Sequence, residues 1–62
     1  MRCTVAEHRE RQKLTQAVLA EKVGISQSEL SLVENGEREP NVKIALKLEL
    51  ILDVDVHKLF IL

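Results

Sequence analysis

Apolar residues recur along this chain at intervals of three and four positions, the spacing that places them on one face of an α-helix. The clearest stretch runs from Gln16 to Gly36, and its apolar positions are Leu19, Val23, Ile25, Leu30 and Val33. Gly24 lies where the chain must turn sharply and where a positive φ would make a Cβ costly. The small Ala20 lies where two crossing helices would touch. The pattern therefore predicts two short helices joined by a tight turn.

Residues typical of helix ends divide the chain into five predicted helices. Thr15, Ser26 and Asn41 are the expected N-caps of the second, third and fourth helices, and Asp55 begins a short final turn. Ser26 and Glu29 form an S-x-x-E capping box, and Asn35 and Gly36 are suited to a left-handed end of the third helix. With their N-caps, the predicted helices cover residues 5–13, 15–23, 26–35, 41–52 and 55–59. Since no segment alternates between apolar and polar residues beside hairpin turns, we expect no strands and a single all-α domain over residues 1–62.

The fourth helix has apolar residues around most of its circumference rather than along one stripe. These residues are Val42, Ile44, Ala45, Leu46, Leu48, Leu50, Ile51 and Leu52. A helix of this kind needs burial on more than one side, and a chain of 62 residues has few other elements to cover it. One interpretation is a surface helix that tolerates exposed apolar residues. We favour a homodimer interface around a two-fold axis, formed by Leu46, Leu50, Phe60, Ile61 and Leu62.

The composition excludes several classes of protein. The single cysteine, Cys3, excludes an internal disulfide, and no histidines and cysteines cluster at metal-ligand spacing, so we expect neither a metal nor a cofactor. The chain has no apolar run that could span a membrane and no signal-peptide pattern, so we expect a cytoplasmic protein that does not contact membranes. We also expect no enzymatic activity, because no nucleophile is arranged with a base and an orienting group.

The net charge of −1 is unevenly distributed along the chain. The first 23 residues contain five basic and three acidic side chains, whereas the remaining residues contain four basic and seven acidic ones. Neutralisation of phosphate charge supplies much of the affinity of proteins for DNA. A DNA-binding protein with this charge would therefore be expected to bind non-specific duplex weakly, and its affinity would depend strongly on the salt concentration.

Three segments resemble the lambda-repressor-like (Cro/C1-type, XRE) helix-turn-helix family: LTQAVLAEKVGISQSELSLVENG, GEREP with its Pro40, and the closing DVHKLF. The resemblance covers residues 5–60. It implies a compact five-helix domain that binds operator DNA as a dimer, with the third helix in the major groove and the second bracing it across the backbone. It also implies that Gln16 contacts a phosphate and supports the first residue of the third helix, and that Arg9 pairs with Glu34.

Outward positions on the third helix are the candidates for reading bases, because Leu30 and Val33 are expected to point inward. The candidates are Gln27, Ser28, Ser31 and Leu32. Gln27 is the best of them, since its amide can form two hydrogen bonds with the N6/N7 edge of an adenine. The serines could bond a base or a phosphate, and Leu32 could pack on a thymine methyl group. The alternative is that these polar residues are simply solvated.

The candidates for phosphate contact lie mainly after the third helix. They are Gln16, Asn35, Gly36, Arg38 and Lys43, with Asn35 and Gly36 acting mainly through their backbone N–H groups. The family commonly has several basic residues in the loop after the third helix, whereas here Glu37 and Glu39 flank Arg38. We assign Glu29 to the capping box rather than to DNA. Glu49 lies where the family has a small buried alanine, and the pattern offers no account of it.

These features predict a sequence-specific regulator of transcription, a repressor that binds double-stranded DNA as a homodimer. Its operator would be a pseudo-palindrome with half-sites about one helical turn, roughly 34 Å, apart. The rival hypothesis is a protein-interaction module of the same fold, with a protein partner and with weak or lost DNA binding. The acidic loop, Leu32 and the apolar fourth helix favour the rival. A salt titration on duplex DNA distinguishes the two.

Overall fold

The computed structural model describes residues 2–61, which contain five α-helices and one two-stranded sheet. In chain order the elements are β1 (Arg2–Cys3), α1 (Val5–Arg11), α2 (Gln16–Val23), α3 (Gln27–Glu34), α4 (Val42–Leu52), α5 (Val56–Leu59) and β2 (Phe60–Ile61). The mainly helical class and the five predicted helices are confirmed.

The helices begin at the residues that the capping pattern predicts. Thr15 Oγ1 accepts a hydrogen bond from Val18 N at 3.1 Å, and Ser26 Oγ accepts one from Glu29 N at 3.1 Å. Asn41 Oδ1 accepts one from Ile44 N at 2.9 Å. Each of these bonds satisfies one of the amide groups that the first turn of a helix leaves without a partner. The starts of α2, α3 and α4 are therefore determined locally.

Helix α1 ends at Arg11, two residues before the predicted end at Lys13. Lys13 adopts a left-handed conformation with φ 59°, which stops the helix and directs Leu14 toward the core. The amide of Leu14 then donates to Arg9 O at 3.1 Å. A lysine is unfavourable in this conformation, so the sequence carries no signal for the early end.

The expectation that the chain has no strands was wrong. β1 and β2 pair antiparallel, with Arg2 opposite Ile61 and Cys3 opposite Phe60. The adjacent Thr4 is buried, its amide donates to Leu59 O at 2.8 Å, and its hydroxyl donates to Lys58 O at 2.6 Å. Strands of two residues are too short to leave an alternating pattern, and their pairing joins segments almost sixty positions apart. This sheet ties the start of the described chain to its end.

The core is built from one face of each helix. Its fully buried apolar residues are Val5, Leu19, Ala20, Val23, Leu30, Val33, Leu48, Leu52 and Leu59. Ala20 is 2% exposed, in agreement with its predicted place between crossing helices. Cys3 packs partly buried against this core, and burial raises the pKa of its thiol. A raised pKa leaves less of the reactive thiolate at neutral pH.

Helix α4 is buried along one side only. Leu48 and Leu52 are buried, whereas Val42, Leu46 and Leu50 are 75%, 51% and 79% exposed. The last three lie one turn apart along the helix, and we call them the α4 apolar stripe. Of the other predicted interface residues, Phe60 packs against the core, Ile61 is 44% exposed, and Leu62 lies outside the described residues. Within residues 2–61, no helix is long and apolar enough to cross a membrane.

Candidate nucleic-acid interface

Helices α2 and α3 are connected by a tight turn whose geometry depends on Gly24. This residue adopts φ 87°, as the sequence predicts. A Cβ at this position would have room, because the nearest side-chain atom, Lys47 Nζ, would be 3.8 Å away. The requirement for glycine therefore comes from the backbone conformation rather than from crowding. Lys47 Nζ also donates to Val23 O at 3.3 Å and so stabilises the end of α2.

The outward face of α3 carries the residues predicted to read bases. Leu30 and Val33 are buried beneath it, as expected. Gln27 and Ser28 are exposed at the first turn, and Ser31 and Leu32 are half-buried one turn later. The predicted ridge is therefore on the surface of the chain, with its most accessible side chains at the start of the helix.

Glu34, at the end of α3, joins three elements through one carboxylate. Arg9 Nε lies 2.9 Å from Glu34 Oε2, and the side chains of Arg9 and Glu34 are only 13% and 5% exposed. Arg9 Nη1 also donates to Leu14 O at 2.9 Å. The second carboxylate oxygen, Oε1, accepts from Gln16 Nε2 at 2.9 Å. A buried carboxylate needs such partners, because leaving it unpaired away from water is costly.

The Glu34 carboxylate orients Gln16, which in turn contacts Gln27. Because Gln16 Nε2 donates to Glu34, its Oε1 faces away and accepts from Gln27 Nε2 at 3.3 Å. Gln27 then retains one amide hydrogen and the whole of its carbonyl oxygen for another partner. A remaining donor beside a free acceptor is the combination that an adenine edge requires. The structure thus brings Arg9, Glu34, Gln16 and Gln27 into one hydrogen-bonded series.

The loop between α3 and α4 differs from the sequence prediction. The Glu29 backbone amide is capped by Ser26, but its carboxylate accepts from Arg38 Nη1 at 3.2 Å. The capping-box prediction therefore holds for the Ser26 side chain, which caps the Glu29 amide, whereas the Glu29 carboxylate pairs with Arg38. The carboxylate pairs with the arginine, nine residues further along the chain, because a hydrogen bond between two charged groups is stronger than one with a neutral amide.

The backbone amides of Asn35 and Gly36 already have partners within the chain. Asn35 N donates to Ser31 O at 3.0 Å, and Gly36 N donates to Val33 O at 3.1 Å. Gly36 adopts φ 77°, which is the left-handed end predicted for this helix. These amides close the helix, so the exposed Asn35 side chain is the group that remains available for a phosphate. Lys43 is exposed near the start of α4.

Glu49 has a structural function that the sequence did not reveal. Its Oε2 accepts from the backbone amide of Val56 at 2.9 Å, while Asp55 Oδ1 accepts from His57 N at 2.9 Å. Two carboxylates therefore cap the four-residue helix α5. No motif in the sequence links Glu49 to a helix that begins seven residues later, because the chain must first turn back at Asp53, which has φ 55°.

A five-helix domain with α2 and α3 joined at a left-handed glycine belongs to the class of helix-turn-helix proteins. Residues 5–59 match the helix-turn-helix family over most of the chain, and the protein belongs to the Cro/C1-type branch of that family. The family consists of DNA-binding transcriptional regulators and is not enzymatic.

Known proteins of similar sequence and structure agree with this assignment. An uncharacterised HTH-type transcriptional regulator of Archaeoglobus fulgidus is 31% identical over 98% of this chain and 87% of its own length. The restriction-modification controller protein C.AhdI of Aeromonas hydrophila is 34% identical, with a TM-score of 0.79, over 90% of this chain and 85% of that one.

The third similar protein is SinR, from Bacillus subtilis. In a structure of the SinR–SinI complex the TM-score is 0.81 at 31% identity, and the match covers 92% of this chain. This chain spans only 56% of the SinR chain matched there. In a structure of SinR with DNA the TM-score is 0.76 at 31% identity, and 86% of both chains is covered.

Proposed function

We propose that this protein is a sequence-specific repressor of transcription that places α3 in the major groove of an operator. Membership of the family accounts for the general activity, DNA binding in transcriptional regulation. The proposal adds that Gln27, Ser28, Ser31 and Leu32 read bases. It also adds that Gln16, the Asn35 side chain, Arg38 and Lys43 contact phosphates. SinR, a similar protein, has been solved in complex with DNA.

The orientation of Gln27 is the observation on which the proposal depends. Its amide nitrogen donates to Gln16 at 3.3 Å, and Gln16 is itself oriented by the buried Glu34. A side chain held in this way loses less conformational entropy when it binds a base than a free glutamine would. Its free oxygen can accept from adenine N6, and its remaining hydrogen can be donated to adenine N7.

The α4 apolar stripe supports the second part of the proposal, a homodimer. Val42, Leu46 and Leu50 are all more than half exposed in the single chain. An exposed apolar row of this kind is typical of an interaction surface, and a two-fold axis would bury the stripe of one copy against that of the other. Two copies would present two α3 helices, and this symmetry explains why we expect a pseudo-palindromic operator.

The experiment that tests the proposal is selection of bound sequences from a random duplex pool. We expect enrichment of a site with two related halves and with an adenine at one position of each half. The Gln27→Ala variant should relax the preference at that position and weaken binding by about 1–3 kcal/mol. Gln12→Ala is the matched control, because Gln12 donates to Leu52 O on the side of α4 and should leave the base preference unchanged.

The outcome of the selection also distinguishes the rival hypothesis. If the protein binds no duplex measurably even at low salt, it is an interaction module that retains the fold without binding DNA. The pairing of Arg38 with Glu29 and the exposed α4 apolar stripe are the features that favour this rival. If the selected site lacks internal symmetry, the dimeric part of the proposal is wrong, and the base-reading part stands.

A further inference from the structure

The loop between α3 and α4 has one basic residue, and that residue is already paired. Arg38 is the only cation between Asn35 and Asn41, and Glu37 and Glu39 flank it. Its Nη1 atom lies 3.2 Å from Glu29 Oε1. We propose that Glu29 competes with DNA phosphates for Arg38, and that Glu29 thereby limits the affinity of the protein for DNA. This inference depends on the proposed function.

The position of the ion pair makes such competition possible. Glu29 lies three residues before Leu32, so the two side chains are neighbours on the surface of α3. Glu29 and Arg38 line a cleft of about 140 Å³ that is bounded by the loop and by the start of α4. The ion pair therefore lies directly beside the base-reading ridge, where a groove-bound α3 would have phosphates close by.

Exposure makes the ion pair weak enough to exchange partners. The Arg38 and Glu29 side chains are 53% and 41% exposed, so water screens their attraction. This pair contrasts with Arg9 and Glu34, whose burial makes their separation costly. Arg38 can therefore leave Glu29 for a phosphate, but the exchange reduces the net gain from the phosphate contact. The carboxylate left behind also repels the DNA backbone.

Two consequences follow from an exchange of this kind. The first is that the loss of binding affinity is the same for every duplex, because phosphates carry no sequence information. The second concerns salt. When Arg38 moves to a phosphate, the DNA releases a counterion, but the freed Glu29 attracts a cation from solution, which offsets that release. The dependence of affinity on salt should therefore be shallower than the number of phosphate contacts implies.

The test measures how four variants bind two duplexes across a range of salt concentrations. One duplex carries the sequence selected by the wild-type protein, and the other is a mixed sequence of equal length. Glu29→Gln removes the competing charge and retains the helix cap, which is formed by the Glu29 backbone amide. Glu37→Gln is the matched control, because it also removes one negative charge near Arg38, from the loop that follows α3. Arg38→Ala and the double variant E29Q/R38A complete the set.

We expect Glu29→Gln to raise affinity for both duplexes by about twofold to fivefold more than Glu37→Gln does. For this variant, the slope of log affinity against log salt concentration should become more negative by up to about one, which is the contribution of one phosphate contact. In the Arg38→Ala background, Glu29→Gln should raise the affinity for DNA no more than Glu37→Gln does in the wild type, because only the change in net charge remains. A helix-stabilising role for Glu29 would leave the salt dependence unaltered.

Three results would overturn the inference in distinguishable ways. Equal gains from Glu29→Gln and Glu37→Gln would show that only net charge matters. A changed base preference in Glu29→Gln would show that Glu29 itself contacts bases. If the wild-type protein binds neither duplex at low salt, the proposed function fails, and the inference fails with it.

Discussion

At the scale of single residues, the buried Glu34 carboxylate connects three helices of this domain. It binds Arg9 in α1 and Gln16 in α2 while it belongs to α3, so one side chain positions three helices. Its exposure of 5% means that these partners replace water almost completely. A surface ion pair could not do this, because solvent competes with both of its members.

We predict that Glu34→Ala lowers the free energy of unfolding by about 3 kcal/mol, because it removes the partner of a largely buried guanidinium. Urea denaturation measures the change. Glu10→Ala is the control: Glu10 Oε1 lies 3.8 Å from the same Arg9, but its side chain is 71% exposed. Its removal should cost less than about 1 kcal/mol. Similar losses in the two variants would contradict the argument that burial decides the contribution.

Individual residues also show where sequence reasoning succeeds. Gly24 and Gly36 adopt the predicted left-handed conformations because the local chain requires them. The pairing of Arg9 with Glu34 was expected only from the resemblance to a family, and the structure places their atoms 2.9 Å apart. The Glu29 carboxylate was assigned incorrectly, since its partner Arg38 is brought near only after the chain has passed the end of α3.

At the scale of elements, the short helix α5 depends on support from its neighbours. It has four residues, too few to be stable alone, yet it carries the fully buried Leu59. Leu59 O accepts from Thr4 N, so α5 also anchors the segment that precedes α1. The Glu49 carboxylate secures the first turn of α5 from within α4.

We predict that Glu49→Ala destabilises the protein by about 1 kcal/mol, the usual cost of losing a helix cap. Urea denaturation gives the total effect, and faster hydrogen exchange at the Val56 amide would locate it in α5. Glu21→Ala, at an exposed position of α2, is the control and should change stability little. Unchanged exchange at Val56 would show that the Glu49 bond contributes nothing to α5.

At the scale of the whole molecule, one side of α4 is left uncovered. Leu48 and Leu52 fill the core from one side of this helix, and the α4 apolar stripe lies outside it. Within residues 2–61, no element covers this stripe. The proposed homodimer would bury the stripe and also pair two α3 helices for a symmetric site.

We predict that the wild-type protein is a dimer in solution and that Leu50→Asp makes it monomeric, because the two-fold axis would bring two carboxylates together at an apolar interface. Sedimentation velocity at micromolar concentrations measures the assembly state, and far-UV circular dichroism checks that the helices persist. Val18→Asp is the matched control, since Val18 is an apolar residue that is 40% exposed and belongs to α2 rather than to the stripe. A monomeric wild type, or a dimeric Leu50→Asp variant, would contradict the prediction.

The helices and their starting points could be predicted from the chain alone, because caps, apolar spacing and left-handed glycines act within a few residues of each other. The outward face of α3 could be predicted for the same reason: Leu30 and Val33 had to point inward. Three features depended on the folded chain: the pairing of β1 with β2, the Glu49 bond to α5, and the capture of Arg38 by Glu29. Each joins groups that approach only after the intervening chain has turned, and no local pattern records such an approach.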